Sequence, residues 1–500
     1  MSYLRRFPAL VILILIGAAL MLIPAVHAAQ TGLWQVARVF FYHAAFFIAL
    51  GCILGLATMN RVPRQPARYH LMTLLLAYVL LPVVLGAPLA VLLPGLGIGG
   101  AYFEMLSCLT TTGATLFDRP RLLPDTLHLW RALIGWSGGL MILVTAVAIL
   151  APLNLGGFEI GQDGIGLRGG RSGGTIDEAS KRILRQAGQI APVYAGFTGF
   201  LALCLIFAGA RPFVALCHAM AVLSTSGISP VGGLEGGQSG RLGEMAILPF
   251  FLLAVSHRAM SFDLRRGHRL ALTDPQIQLM LISVLSVTLL LFLRSFIGAA
   301  EIDRQDSPFR ALQAIWGSLF TVLSFLTTTG FESPDWRAMQ LWSHLPDPGT
   351  ILLGVAVMGG GIATTAGGVK LLRLYALYRH GLRELDLLVH PSSVARHGQG
   401  DRVVSENGPR IAFVFLMLFL VSLGILMIAF SLTGLEFDQS LALGIASLTT
   451  TGPAIRTLGG GASYGDLDSW ARVLFATGMI VGRMETIVII ALFNPAYWRH

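Results

Sequence analysis

Charged residues are scarce in this sequence. Only 12% of the 500 residues are Asp, Glu, Lys or Arg, whereas 54% are hydrophobic and the mean hydropathy is +0.71. So little polar material cannot cover the surface of a soluble protein of this length. The composition therefore predicts a membrane protein, for which the lipid bilayer is the main solvent.

Cysteine is scarce too, and the spacing of the four residues excludes a cysteine metal site and a disulfide framework. The residues lie in apolar stretches without metal-ligand spacing or a paired framework, at Cys52, Cys108, Cys204 and Cys217. We expect core thiols and no covalent cofactor. The formal charge of +9 does not require a nucleic-acid partner, and we expect none, because basic loops on one side of a membrane give the same total.

Ten apolar stretches are long enough to cross the roughly 30 Å hydrocarbon core of a bilayer. They lie near residues 8–27, 34–57, 71–94, 129–152, 190–209, 242–257, 276–297, 348–377, 410–432 and 469–492. Shorter apolar segments lie between pairs of these stretches, at 101–109, 212–223, 312–326 and 438–448. A helix of about 9 to 12 residues covers only about half of the membrane, so we predict re-entrant pore helices.

Each short segment is followed by three Thr or Ser residues and a glycine. The runs are Thr110–Gly113, Ser224–Gly227, Thr327–Gly330 and Thr449–Gly452, and their glycines stand 114, 103 and 122 residues apart. Four such loops can converge on one axis, where backbone carbonyls replace the water shell of a cation. The prediction is an all-α polytopic membrane protein with four helix/pore-helix/helix repeats around one pore, plus an N-terminal transmembrane hairpin. It is not an enzyme.

The predicted domains follow this repeat. They are the hairpin at 1–60 and pore repeats 1 to 4 at 61–167, 168–270, 271–405 and 406–500. The first apolar stretch, with Arg5 and Arg6 before it and small residues near Ala28, also resembles a cleavable secretory signal. Its length favours a retained hairpin, and the four-repeat topology is the same either way.

Basic residues predict the orientation. Lys and Arg cluster before the first stretch and in segments 61–68, 168–185, 265–269 and 370–410, which the ten-span topology places on one side. That side, with the N-terminus, should be cytoplasmic by the positive-inside rule. The other side carries Asp118, Asp125, Glu235, Glu301, Asp303, Asp306, Glu332, Asp335, Glu436, Asp466 and Asp468. An acidic outer face would attract cations.

Three further motifs complete a family pattern. They are Gly135–Gly139 after the first run, Gly359–Lys370 after the third and Gly482–Glu485 in the last stretch. With the four runs, they make the chain resemble the Trk/Ktr superfamily of potassium transporters, more closely its Trk-type transmembrane subunit. The resemblance implies potassium uptake across the bacterial cytoplasmic (inner) membrane. It also implies a homodimer with one pore per subunit and a cytosolic nucleotide-binding (NAD/ATP-type) regulatory subunit.

The last three residues of each run are predicted to bind K⁺ through backbone carbonyls. They are Thr111, Thr112, Gly113, Thr225, Ser226, Gly227, Thr328, Thr329, Gly330, Thr450, Thr451 and Gly452. A glycine tolerates positive φ, which lets successive carbonyls point at the axis. Ordinary turns would explain one run but not four in phase. The glycines are followed by Ala114, Ile228, Phe331 and Pro453, so we expect an asymmetric filter that prefers K⁺ over Na⁺ and passes Rb⁺.

Residues 359–368 hold five glycines in ten positions inside a predicted span. Glycine costs about 1 kcal/mol against alanine in a helix, so the helix should break there and line the pore. The resemblance implies an intramembrane gate, formed by Gly359, Gly360, Gly361, Thr364, Thr365, Gly367, Gly368, Lys370 and Arg483. Close helix packing through small residues is the alternative.

Arg483 lies well inside the last apolar stretch, with Glu485 on a different helical face. An intramembrane charge is costly and needs a partner or water. Either Arg483 projects into the conduction path, as the resemblance implies, or it forms a structural salt bridge. Lys370 is expected to extend to the cytoplasmic boundary. Glu104 and His218 are expected to make local hydrogen bonds.

Two rival functions remain. A secondary transporter, coupling cation movement to protons or sodium as in a symport, would explain broken helices but predicts two symmetric halves. An intramembrane hydrolase needs a nucleophile and a base, and Ser224 with His218 occurs in one repeat only. The sequence does not choose between passive and coupled transport.

Overall fold

The computed structural model describes residues 7–58, 66–151, 155, 157–158, 176–256, 274–301, 308–343, 348–390, 408–458, 463–485, 488–489 and 492. Within these residues the protein is helical, and no β-strand occurs. Eight described helices are long and apolar enough to cross a membrane. The prediction of an all-α polytopic membrane protein is confirmed.

The N-terminal hairpin consists of Ala9–Leu20 and Leu22–Gln30, which together form one span, and Trp34–Thr58. The hairpin packs against the first helix of repeat 1. Ala28, at the possible cleavage site, is fully buried within a helix. His27 Nδ1 lies 2.9 Å from Thr126 Oγ1 of repeat 1. Retention of the hairpin stays a prediction.

Each of the four repeats contains a helix, a shorter helix, a loop and a further helix. Repeat 1 has Pro66–Leu92, Gly97–Leu109 and Asp125–Thr145; repeat 2 has Ile176–Phe207, Pro212–Leu223 and Gly240–Phe251. Repeat 3 has Pro275–Glu301, Pro308–Leu326, Pro334–Ser343, Gly349–Met358 and Leu371–Val389; repeat 4 has Gly408–Leu432, Phe437–Thr449 and Ser469–Met484. We call the second helix of each repeat its pore helix. The division into domains stays a prediction.

Two predicted spans were wrong in extent. The one at 242–257 is the 12-residue helix Gly240–Phe251, which contains Pro249. The last helix ends at Met484, because Glu485 adopts a φ of +62°. Conversely, pore helix 3 has 19 residues, longer than predicted. Helices surrounded by protein need not match the bilayer thickness.

The helices form an inner and an outer layer. In the span Asp125–Leu150, which follows the first loop, 67% of the apolar stretch is buried inside the protein. In Gly408–Leu432 only 17% is buried, so this helix faces lipid. Pore helices 1 and 4 are exposed in their first turns and largely buried from Gly100 and Ser440 onward. This arrangement surrounds the irregular loops with protein, which irregular backbone inside a membrane requires. Cys108 and Cys217 are buried as expected, but Cys52 is exposed and Cys204 partly exposed.

Candidate ion-conduction site

The four Thr/Ser-Gly loops share one backbone conformation. Their second residues all have positive φ, at 52° for Thr111, 53° for Thr225, 57° for Thr328 and 54° for Thr450. In every loop the third residue donates its N–H over 2.9 Å to the carbonyl five residues earlier, in the pore helix. A β-branched residue at positive φ costs about 1–3 kcal/mol, so the surroundings must hold each loop in place.

The glycines were expected to supply the positive φ, and three of them do. Gly113, Gly227 and Gly330 have φ of 75°, 63° and 74°. The expectation is wrong for Gly452, which begins the short 3₁₀ helix Gly452–Leu458. There glycine is required by space, because a Cβ would lie 2.6 Å from the carbonyl carbon of Gly113. The positive φ of these threonines could not be predicted from the sequence, since Thr rarely adopts this conformation.

Hydroxyl groups within each loop bond to one another. The first and third residues pair at 2.8 Å for Thr110 and Thr112, 2.9 Å for Ser224 and Ser226, 3.1 Å for Thr327 and Thr329, and 3.0 Å for Thr449 and Thr451. Among the described residues, no group donates a hydrogen bond to the carbonyls of the last three residues in loops 2 and 3. Backbone oxygens are therefore the available ligands there.

The loops close a ring in chain order. A Cβ on Gly113 would overlap the Ser226 carbonyl oxygen, and one on Gly227 would overlap that of Thr329. A Cβ on Gly330 would lie 2.9 Å from Pro453 of loop 4. Gly452 N–H donates to the Thr112 carbonyl over 2.7 Å, which closes the ring. The structure thus brings all twelve predicted carbonyl residues together.

All four filter glycines line one cavity of about 520 Å³, which we call the vestibule. Its walls carry the acidic residues Asp118, Glu235, Glu332 and Asp466 and the basic residues Arg131, Arg337 and Arg456. Glu235 pairs with Arg337 at 3.2 Å. The vestibule is therefore of mixed charge, less acidic than the sequence suggested.

The helix break predicted at the glycine-rich segment is confirmed. The helix ends at Met358 and resumes at Leu371, and the intervening residues lie against the ring on the side away from the vestibule. Gly367 N–H donates to Thr328 Oγ1 over 2.9 Å, and a Cβ on Gly367 would overlap the Thr449 carbonyl oxygen. Thr365 Oγ1 bonds the Leu223 carbonyl at 3.4 Å. The segment therefore contacts loops 2, 3 and 4 or their pore helices.

The glycine-rich segment is also closely packed, as the alternative interpretation requires. A Cβ on Gly361 would overlap the Val255 carbonyl oxygen, and one on Gly360 would lie 2.5 Å from that of Ala254. Several hydrogen bonds anchor the segment. They include Gly361 N–H to Ala254 at 3.1 Å, Ile362 N–H to Gln276 Oε1 at 3.0 Å, Val369 N–H to Val357 at 2.9 Å and Leu371 N–H to Gly360 at 2.9 Å. Any movement must break these bonds.

Arg483 joins the glycine-rich segment to the ring. Its guanidinium donates to the Thr110 carbonyl at 2.8 Å, the Thr365 carbonyl at 2.6 Å, Thr450 Oγ1 at 2.8 Å and Thr111 Oγ1. Within the described chain it has no carboxylate partner. Glu485, past the helix end, instead pairs with Arg373 at 2.7 Å. The expectation that Glu485 lies on a helical face is wrong.

Lys370 was expected at the cytoplasmic boundary, and this expectation is wrong. Its side chain is buried and its ammonium donates to the Ala366 carbonyl, inside the glycine-rich segment. A φ of +84° turns the chain at Lys370 before the next helix begins. A small cavity of about 40 Å³ is lined by Thr364, Gly367, Gly368, Lys370 and Arg483, which are five of the nine predicted gating residues.

Comparison with known proteins agrees with this geometry. A family model described as the cation transport protein TrkH matches residues 247–500. The Trk system potassium uptake protein TrkH of Halomonas elongata is 30% identical over 481 residues, 94% of this chain and 93% of that protein. The Escherichia coli protein of the same name is 29% identical over 413 residues, 81% of this chain and 80% of that protein.

The chain belongs to the TrkH family of cation transport proteins. The crystal structure of the potassium transporter TrkH from Vibrio parahaemolyticus has a TM-score of 0.79 and 24% identity, and the match covers 100% of both chains. This likeness shows that the TrkH-family fold extends over the whole chain. The interpretation as a hydrolase is excluded by membership of a transporter family.

Three repeats of this TrkH-family chain brace the segment after the filter in the same way. The brace is the residue nine positions before the filter glycine. Glu104 accepts from Thr115 Oγ1 at 2.9 Å, His218 Nε2 lies 2.8 Å from Ser229 Oγ, and Thr321 Oγ1 accepts from Ser333 N–H at 3.2 Å. The expectation of local bonds at Glu104 and His218 is confirmed. The fourth repeat has Leu443 there.

We predict that Glu104→Gln lowers stability more than an exposed ion-pair mutation does. Glu104 and Arg131 pair at 3.2 Å with side chains 0% and 3% exposed. Removing one charge leaves the other buried and unpaired, which costs about 3–5 kcal/mol. Thermal unfolding of the purified protein in one detergent measures the effect.

The matched control is Glu235→Gln, because the Glu235 and Arg337 side chains are each 65% exposed. It should cost about 1 kcal/mol or less. Equal melting temperatures for the two variants would contradict a buried brace in repeat 1.

Proposed function

We propose that this chain takes up potassium across the bacterial cytoplasmic membrane, through a filter of backbone carbonyls. The filter consists of Thr111, Thr112, Gly113, Thr225, Ser226, Gly227, Thr328, Thr329, Gly330, Thr450, Thr451 and Gly452. The observation that carries the proposal is the closed ring of four loops whose hydroxyls bond internally. Carbonyl rings of this kind replace the hydration shell of a cation. The names of the Halomonas and Escherichia relatives support potassium as the ion.

Each loop holds a single glycine, so the filter is short. Only a few carbonyl layers are available between the vestibule and Arg483, which limits the number of well-defined ion sites. Selection for potassium over sodium should therefore be a preference, and rubidium should permeate. The four similar loops around one ring favour a channel-like pathway over a two-halved secondary transporter.

The glycine-rich segment is the proposed gate, together with Arg483 and Lys370. Beneath the ring, the cavity of about 40 Å³ holds little more than one water, whose share of liquid volume is about 30 Å³. A cation with its hydration shell does not fit in that cavity, which supports the proposal that the segment closes the pathway in this conformation. Opening requires the segment to leave its bonds to Thr328 and Gln276.

Regulation is proposed to come from outside the membrane. The helix Leu371–Val389 continues directly from the gate and carries the exposed Arg383 and the partly exposed Arg379. Arg396, in the same basic segment of the sequence, lies outside the described residues. We infer a cytosolic nucleotide-binding regulatory subunit on this basic side, with the N-terminus on the same side. A homodimer with one pore per subunit completes the proposal.

Ion-replacement uptake tests the proposal. Cells that lack their own potassium uptake should accumulate Rb⁺ and grow at low K⁺ when they express this chain with its regulatory subunit. Purified protein in liposomes should pass K⁺ and Rb⁺ faster than Na⁺. Equal K⁺ and Na⁺ fluxes, or none, would contradict a potassium filter.

Replacing Gly330 or Gly452 with Ser should lower the K⁺/Na⁺ flux ratio while the protein still inserts. At Gly330 the φ of 74° is unfavourable for Ser, and at Gly452 the added Cβ would overlap loop 1. Gly424→Ser is the control, because open space surrounds Gly424 in the lipid-facing helix. An unchanged K⁺/Na⁺ flux ratio in both filter variants would contradict the placement of these loops on the ion path.

Replacing Arg483 with Ala or Gln should raise flux per folded molecule. The change removes a positive charge from beneath the ring and the bonds that tie the gate to loops 1 and 4. A charge in a buried site with little water is only weakly screened. Arg472→Ala, in the same helix but bonded to Gly465, should leave flux unchanged. Loss of folded protein without a gain in flux would indicate a structural role.

Deleting Thr364, Thr365 and Ala366 should raise basal conduction and weaken regulation. The deletion removes the Thr365 carbonyl that Arg483 holds and the Ala366 carbonyl that Lys370 holds. Flux with and without the regulatory subunit measures both effects, and an intact K⁺/Na⁺ ratio shows that the filter survives. Unchanged basal flux in well-folded protein would favour close packing as the role of the glycines.

Charge reversal at Arg379, Arg383 or Arg396 should weaken docking of the regulatory subunit. These residues follow the proposed gate in the sequence, so basal flux of the isolated transmembrane protein should not change. Binding to the purified subunit and liposome flux are measured on the same preparations. Normal binding of all three variants would place the docking surface elsewhere.

A further inference from the structure

Pro453, the residue after the filter glycine of loop 4, contacts two other loops. Its Cγ lies 3.0 Å from the position of a Cβ on Gly227, and its Cβ lies 2.9 Å from that on Gly330. These distances put the proline ring in van der Waals contact with both glycine backbones. Loop 4 neighbours loops 3 and 1, so loop 2 is the opposite one. The ring of Pro453 therefore reaches across the mouth of the filter.

Hydrogen bonds hold loop 4 in this position. Gly452 N–H donates to the Thr112 carbonyl at 2.7 Å, Ala454 N–H to the Thr451 carbonyl at 3.1 Å, and Tyr464 hydroxyl to the Gly452 carbonyl at 2.7 Å. Tyr464 is itself buried, with its ring 5.0 Å from that of Phe475. Proline also fixes its own φ. The loop cannot easily withdraw the ring from the mouth.

These bonds make the filter unequal. Carbonyls of loops 1 and 4, at Thr112, Thr451 and Gly452, accept bonds from protein donors. Within the described chain, those of the last three residues in loops 2 and 3 accept none. A cation in the filter therefore finds more free oxygens on loops 2 and 3 than on loops 1 and 4.

We propose that Pro453 is a specificity-determining residue that sets the width of the filter mouth. Its ring displaces water but offers no oxygen in exchange, so an entering cation must pass through the part of the mouth that the ring leaves open. Larger alkali cations are then disfavoured by size. Pro453 is partly exposed and lines the vestibule, as such a role requires. The inference rests on the proposed function as a cation pathway.

Fluxes of K⁺, Rb⁺ and Cs⁺ through purified full-length protein in liposomes test this inference. The side chain at this position increases in size through the variants Pro453→Ala, Pro453→Val and Pro453→Leu. Pro120→Ala is the control, because Pro120 lines the same vestibule but its ring faces Gly232. Size-exclusion profiles and a K⁺/Na⁺ ratio above one show that each variant is folded with a working filter.

The Cs⁺/K⁺ flux ratio should rise in Pro453→Ala by about threefold or more, the modest scale on which a few methylene groups discriminate. It should stay near the wild-type value in Pro453→Val and in the control, and fall in Pro453→Leu. If one variant fails to fold, the order of the remaining two still decides. A Cs⁺/K⁺ ratio that does not follow side-chain size, in protein that conducts K⁺, contradicts the role of Pro453 but not the proposed function. Absence of any alkali-cation flux in the wild-type protein contradicts the proposed function as well.

Discussion

A buried backbone carbonyl that lacks a hydrogen-bond donor is costly, and this structure gathers several around one axis. The four loops can hold that arrangement only if everything around them is satisfied and rigid. Their hydroxyls bond internally, and their third N–H groups bond back to the pore helices at 2.9 Å. The strained φ of the second residue in each loop is held by the same surroundings. A cation in the ring would satisfy the remaining oxygens.

The outer parts of the protein follow from that constraint. Irregular backbone is tolerated at membrane depth only inside protein, so the spanning helices surround the ring. The first loop depends on the buried Glu104–Arg131 pair, and the fourth on the Tyr464 hydroxyl. On the far side, Arg483 donates to loops 1 and 4 while Gly367 donates to loop 3. The ring and the glycine-rich segment are thus one connected hydrogen-bonded unit.

The sequence predicted the features that depend on composition and repetition. The all-α class, the four loops and the helix break at Gly359 follow from apolar length, from the Thr/Ser-Gly runs and from the low helix propensity of glycine. Features that depend on contacts between repeats could not be predicted. Lys370 turns back into the segment, and Gly452 needs space instead of positive φ, because of neighbours that are distant along the chain. Glu485 lies past the end of the last helix and pairs with Arg373, which is also distant along the chain.

Rb⁺ anomalous diffraction from crystals of the protein would show whether the ring of four loops binds the ion, because it locates the ion without relying on a mutant. We expect anomalous peaks on the axis between Thr111, Thr225, Thr328 and Thr450 and their filter glycines, within coordination distance of the backbone oxygens. We also expect that soaking in Na⁺ weakens the peaks less than soaking in K⁺ does. Peaks elsewhere in the membrane region, with none between the four loops, would contradict the claim that this ring is the ion pathway.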